Sequence, residues 1–206
     1  MRYVALLRGV NVGGKNLIRM PDLQTCFADH GYADVLTYIQ SGNVVFSAGR
    51  ASHAALTAEI ESMLRKGFAH YDASVVVRSA SQMRSVVEHA PPGFGADPQR
   101  YRFEVIFLKA PLTAAVALRD VPVKEGVDSV AAGRGVLYHR RLTSRATQSR
   151  LSRVVAMPMY RNMTIRNWNT TTKLLELLEA PAGSTRSSAI SSSHDPTTRA
   201  TRQHRL

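Results

Sequence analysis

An α+β fold built from two ferredoxin-like halves is what this sequence of 206 residues predicts. Three observations carry the expectation. Apolar stretches switch repeatedly between period 2 and period 3.6. Their order over residues 1–90 is β-α-β-β-α-β, the split βαβ pattern. After a Pro91-Pro92-Gly93 break the same order recurs more loosely over 91–180.

In the first half, residues 3–7 read as a buried strand followed by a Gly-rich loop, 9–16. Pro21 opens a helix at the first-turn position that tolerates proline. Leu23, Cys26, Phe27 and His30 form its apolar face, and Gly31 stops it. Residues 35–40 and 44–46 pair as a hairpin across Ser41-Gly42-Asn43. Ser52 caps the next helix, whose face is Leu56, Ile60, Met63 and Leu64, and Gly67 ends it. A fourth strand covers 74–78. Ser81 then caps a short helix carrying Met83, Val86, Val87 and Ala90.

In the second half, residues 101–108 form a strand with Tyr101, Phe103, Val105 and Phe107 on one face. A short helix covers 113–119. Residues 127–131 and 136–139 make a hairpin around Gly133 and Gly135. Leu151, Val154 and Val155 mark another helix, and 163–165 a last short strand. Asn169 or Thr170 caps a closing helix with Leu174, Leu175 and Leu178. Residues 181–206 hold 10 Ser or Thr in 26 and few large apolar side chains, so a disordered basic tail is expected there.

Composition narrows the classes. The chain is 44% hydrophobic, and one this long buries roughly 70% of its unfolded surface, so it needs no staples. Cys26 is the single cysteine, which rules out an internal disulfide and suits a reducing compartment. No apolar run approaches the ~20 residues that cross a bilayer, and residues 1–7 carry no signal-peptide pattern. The expectation is a cytoplasmic protein with no membrane association. No metal or cofactor is expected, because the seven histidines lack ligand spacing.

The net charge of +12 is unevenly spread. Residues 1–128 are nearly balanced, at +2, whereas 129–175 hold nine cations and no acid. Such a stretch attracts anions, nucleic acid among them. Arginine outnumbers lysine 22 to 5, however, and a coding bias produces the same excess without any partner.

Three segments could carry chemistry. The loop Arg8-Gly9-Val10-Asn11-Val12-Gly13-Gly14-Lys15-Asn16 follows a strand and satisfies G-x-x-x-x-G-K. Glycines let backbone N–H groups converge on an anion, and Lys15 adds a charge. Asn16 stands where a nucleotide-hydrolysing P-loop needs a magnesium-binding hydroxyl, and the helix starts late, so that class is excluded. A weaker anion nest and a tight β–α connection both remain. Gln40-Ser41-Gly42-Asn43 either orients a ligand or makes an ordinary turn. Arg166-Asn167-Trp168-Asn169-Thr170, with Lys173 one turn on, either holds a phosphate or stacks a base, or buries its tryptophan as core beside a helix cap.

Together LLRGVNVGGKN (6–16), TYIQSGNVVF (37–46) and RNWNT (166–170) resemble the bacterial domain-of-unknown-function family 1697, over about residues 1–180. These motifs are long and unusual. The resemblance implies two ferredoxin-like subdomains and no activity. The family's motif positions fall on Arg8, Asn11, Gly13, Gly14, Lys15, Gln40, Ser41, Gly42, Asn43, Arg166, Asn167, Trp168, Asn169, Thr170 and Lys173; residues 157–164 depart from the pattern.

The expectation is one polar, cationic cleft between the halves. There Arg8, Lys15 and Arg166 would neutralise an anion, and the amides near Gly13 and Gly14 would bind its oxygens. Asn43 and Asn167 would orient it, and Trp168 would wall the site or stack on a base; Asn11, Ser41 and Lys173 complete the expected ligand-binding set. The ligand expected is an anionic small molecule or nucleotide. The alternatives are nucleic acid on residues 129–175, or an enzyme acting on a phosphorylated or nucleotide substrate.

Overall fold

A computed structural model describes residues 1–14 and 16–181. Lys15, and the expected tail beyond Pro181, lie outside the described residues. The order is β1 (Arg2–Leu7), α1 (Met20–Asp29), β2 (Ala33–Tyr38), β3 (Asn43–Ser47), α2 (His53–Gly67), β4 (Val75–Ser79) and α3 (Ala80–Glu88). The second half gives β5 (Tyr101–Leu108), α4 (Ala114–Asp120), β6 (Asp128–Gly133), β7 (Val136–Leu142), β8 (Met163–Asn167) and α5 (Trp168–Glu179). Its strands are all antiparallel, ordered β6-β7-β5-β8, and those of the first half β2-β3-β1-β4. The expected α+β fold with two ferredoxin-like halves is therefore what forms.

Three local expectations need correction. Ser79, not Ser81, caps α3: its hydroxyl accepts from the Gln82 amide, and the Gln82 side chain accepts in return from the Ser79 amide. Asn167, not Asn169 or Thr170, caps α5 and accepts from the Thr170 amide at 2.7 Å. The helix expected around residue 151 is three short 3₁₀ turns, Thr143–Gln148, Leu151–Ala156 and Pro158–Asn162. Extended backbone at Ser149 (φ −58°, ψ 141°) and at Met157 (φ −84°, ψ 142°), the latter imposed by Pro158, breaks the run into short turns.

Alternation along the strands sorts side chains into three clusters. Tyr3, Ala5 and Leu7 of β1 pack outward beneath α1 and α2, with Phe27, Phe46, Ile60 and Leu64. Val4 and Leu6 face the other way, into a cluster shared by both sheets. It includes Val45, Val76, Val105, Phe107, Val136 and Tyr138, with Met83 and Val86 of α3 and Leu174 and Leu178 of α5. The far face of the second sheet packs Ile106, Leu108 and Leu137 against α4 and the 3₁₀ turns. Buried polar bonds also cross between the halves: the Tyr138 hydroxyl donates to the Val86 carbonyl at 2.7 Å, and Lys109 pairs with Glu61.

Within the second sheet, His139 is fully buried between two carboxylates. Its Nδ1 lies 3.1 Å from Glu104, which also takes Arg141, and its Nε2 lies 3.4 Å from Asp128. Among the described residues no helix is long and apolar enough to cross a membrane.

Candidate functional site

The last strand of each half carries an arginine directly before the helix cap that ends it: Arg78 before Ser79, and Arg166 before Asn167. Register fixes where they point. Arg78 lies opposite Val4 and Arg166 opposite Val105, both on the inner face. Each arginine therefore reaches into the other half.

The two reach equivalent acceptors. Arg166 Nη2 donates to the carbonyls of Leu7 (2.8 Å), at the end of β1, and of Gly42 (3.3 Å), in the β2–β3 turn. Arg78 Nη2 donates to those of Leu108 (2.6 Å), at the end of β5, and of Gly135 (3.1 Å), in the β6–β7 turn. Each Nη1 donates to the preceding residue's carbonyl, Ile165 or Val77. The frames match as well: the Leu7 amide donates to the Gly42 carbonyl, as Leu108 does to Gly135, and Arg8 donates to Ser74, as Lys109 does to Asn162. This is a pseudo-twofold exchange of cations between halves.

Arg166 is the more fully engaged. Its Nε also donates to Asn43 Oδ1 (2.6 Å), its Nη1 to Thr164 Oγ1 (2.8 Å), and its Nη2 to the Ser41 carbonyl (3.0 Å). Every N–H of its guanidinium is directed at a protein acceptor, and no carboxylate pairs with it among the described residues. Burial pulls its pKa down to about 10, against the opposite influence of Tyr71 and Tyr160. Burial likewise lowers Arg78 to about 10.

The Gly-rich loop leaves β1 beside this guanidinium. Asn11 closes it from within: its amide nitrogen donates to the Ile18 carbonyl, and its Oδ1 accepts from the Ile18 amide, both at 2.9 Å. The same nitrogen reaches the Gln40 carbonyl at 2.9 Å, so the loop is tied to the β2–β3 turn. Gly13 and Gly14, at φ +59° and +73°, stand exposed at the tip. Arg8 lies 5.6 Å over the Tyr160 ring, and its Nε is sealed from water without a hydrogen-bond acceptor among the described residues. The Tyr71 hydroxyl donates to the Arg8 carbonyl at 2.8 Å. Burial pushes Tyr71 up to about 12, and its backbone partners and the charges of Arg8 and Arg166 act against that rise.

The three sequence segments thus do meet, at the β2–β3 turn, but not every predicted residue shares the place or keeps a free donor. Arg8, Asn11, Ser41, Asn43 and Arg166 come together. Asn43 is spent on Arg166, on the Tyr38 carbonyl and on Ser41, and Asn167 on its cap. Trp168 is half-buried and packs edge-on to Phe94 at 5.1 Å. A Cβ on Gly95 would fall 2.3 Å from its indole nitrogen, so that ring belongs to the shared core's rim. Lys173 is exposed and pairs with Glu176.

Several of the nine cations of 129–175 are engaged within the protein. Arg140 stacks on Tyr101, Arg141 pairs with Glu104, Arg145 bonds Gln148, and Arg166 is buried. Sequence reasoning missed Tyr71, which meets Arg8 within the first half, and Tyr160 and Arg78, which the pairing of the halves brings in. It also missed His70, whose Nε2 lies 3.1 Å from the Leu17 carbonyl of the loop.

The fold is similar to that of the conserved bacterial protein SP0830 from Streptococcus pneumoniae, with a TM-score of 0.72 and 24% identity over 86% of this chain and 98% of that one. No curated protein matches the chain. The family model described as a protein of unknown function, DUF1697, matches residues 1–138, which hold the first two motifs and stop short of the third. With that match over more than half its length, the chain belongs to the DUF1697 family.

Proposed function

We propose that the protein binds a phosphate-bearing small molecule or nucleotide at the Gly-rich loop, in a cytoplasmic setting that its lone cysteine suits. The observation that carries this reading is the state of Arg8. Its Nε is shielded from water and lacks an acceptor, beside a second, buried arginine that has no carboxylate partner among the described residues. A buried cation normally has an anion or a full set of acceptors. Arg166 has the acceptors; the Nε of Arg8, on a side chain that is only partly buried, lacks one.

The division of labour follows. Arg8 supplies the donors, Arg166 a fixed charge behind them, and the exposed backbone at Gly13 and Gly14 further N–H groups. Lys15 adds its charge by sequence position alone. Val12, Leu17 and Ile39, 63%, 66% and 48% exposed, flank the tied loop and give an organic body apolar contact. Trp168 and Lys173 have no part in this version of the site. The engagement of Arg140, Arg141 and Arg145 within the protein and the burial of Arg166 favour a small anion over a nucleic-acid track. His70 is the group at the loop that a reaction would draw on for proton transfer.

The test is calorimetric titration of the full chain with phosphate, nucleoside phosphates, sugar phosphates and short DNA or RNA at two salt concentrations. One small anion is expected to bind with little salt dependence, and Arg8→Ala to abolish it. Binding of nucleic acid alone, lost as salt rises, would transfer the function to the arginine-rich surface. No heat with any ligand sinks the reading.

A further inference from the structure

The pseudo-twofold that relates Arg78 to Arg166 breaks at their side-chain partners. Gly135 stands where Gly42 does, so Val136 stands for Asn43. Two residues before each arginine, Val76 stands for Thr164. Asn43 and Thr164 take the Nε–H and one Nη1–H of Arg166. At Arg78 both equivalent positions are valine, which offers no acceptor, and the guanidinium makes three bonds, to Val77, Leu108 and Gly135. A guanidinium has five N–H donors, so two of Arg78's have no protein acceptor among the described residues.

Beside it opens a cavity of about 580 Å³, the size of a small-molecule site. It lies after the end of β5, as the Gly-rich loop lies after the end of β1. Arg78, Arg134, Ser81, Gln82, Ser85 and Thr113 line its polar side, and Leu108 with residues 110–112 its apolar side. No carboxylate lines it, and neither arginine has an ion-pair partner among the described residues.

We propose that this cavity is a second binding site, for a small organic phosphate monoester. Arg134 and the two unpaired N–H groups of Arg78 receive the phosphate oxygens. The Ser85 hydroxyl and the Gln82 amide nitrogen add donors, since the Gln82 oxygen is already held by the Ser79 amide. Two cations without an acid match a dianion better than a carboxylate. The half-apolar wall takes the ester's organic group. This site does not depend on the Gly-rich loop being a binding site.

The experiment is a titration of the ¹⁵N-labelled full chain with inorganic phosphate, phenyl phosphate and benzoate at constant ionic strength, read on backbone amides. Saturable shifts are expected at Ser81, Ser85, Thr113 and Gly135, with phenyl phosphate binding most tightly. Arg134→Ser should weaken it about tenfold, as loss of one charge-assisted bond does. Ser85→Asp should abolish it. Both positions lie outside the carbonyl contacts that hold Arg78, so their variants stay folded. Arg8→Ala should leave it unchanged, which separates this site from the loop. The proposal is overturned if those amides show no saturable shift, or if both variants bind like the parent. Shifts confined to residues 8–16 would support the loop site and overturn this one. Benzoate binding as tightly as phenyl phosphate would overturn the assignment to a dianion.

Discussion

Replacing Arg166 by alanine removes one cation and the donors to six acceptors, on Leu7, Ser41, Gly42, Asn43, Thr164 and Ile165, of which the Gly42 carbonyl keeps the Leu7 amide. A buried acceptor left without a donor costs about 1–3 kcal/mol, so Arg166→Ala should lower unfolding free energy by at least that order in urea titrations. Arg166→Lys should also destabilise, because an ammonium cannot span acceptors placed around a planar fork. Asp128 gives a pH signature. Burial opposes its carboxylate, but the Arg150 amide, the Ser149 hydroxyl, the Lys124 amide and His139 outweigh that, and its pKa sits below the ordinary value. A depressed carboxylate adds stability that is present above its unfolded value, about 3.9, and is lost as pH falls through the folded one. Asp128→Asn should therefore flatten the acid limb of a stability–pH curve measured between about pH 5 and pH 2. The residue types of the site were legible in the sequence; their partners were not. Arg166 reads as an anion binder until residues 7, 41 and 42, more than a hundred positions away, supply carbonyls that occupy it. Trp168 reads equally as ligand wall or core, and Gly95 decides for core only because the 91–100 loop folds over it.

The β2–β3 turn that receives Arg166 places its own demand on sequence. Gly42 sits at φ +71°, and a Cβ there would come 2.9 Å from Leu7 and 3.2 Å from Val10. Gly13 and Gly14 are also left-handed but have open space around them. Gly13→Ala and Gly14→Ala should each cost about 1 kcal/mol, from backbone conformation alone. Gly42→Ala should cost more, about 1–3 kcal/mol, because strain is joined by a clash. Denaturant midpoints of the three variants give the ordering, and equal values would contradict it. Strands and helices were readable where periodicity was unbroken, as in β5 and α2. Caps were misplaced by two or three residues, because Ser79 and Ser81 have the same capping chemistry and only backbone geometry separates them. The 3₁₀ run was misread because Leu151, Val154 and Val155 imitate a helical face that Pro158 cuts short.

Reciprocal arginines, a shared apolar cluster and the Lys109–Glu61 pair bind the halves into one cooperative body. The full chain should melt in a single transition, with calorimetric and van't Hoff enthalpies equal. A fragment of residues 1–90 should lack near-ultraviolet circular dichroism, because it exposes Val4, Leu6, Val45 and Val76, and should regain it when residues 91–181 are added. A surviving native spectrum in the fragment would contradict this. The sequence showed that the pattern of elements repeats. It could not show that each half lends a cation to the other, since nothing local to Arg78 or Arg166 names an acceptor.

That exchange makes the order of the halves along the chain immaterial. Neither arginine needs its acceptors before or after it, only across from it. The Arg2 side chain already meets the carbonyl of Ala180, so the two ends of the described fold lie side by side. A circular permutant opened within residues 91–100, with a short linker from Pro181 back to Met1, should rebuild the same clasp from a chain read in the opposite order.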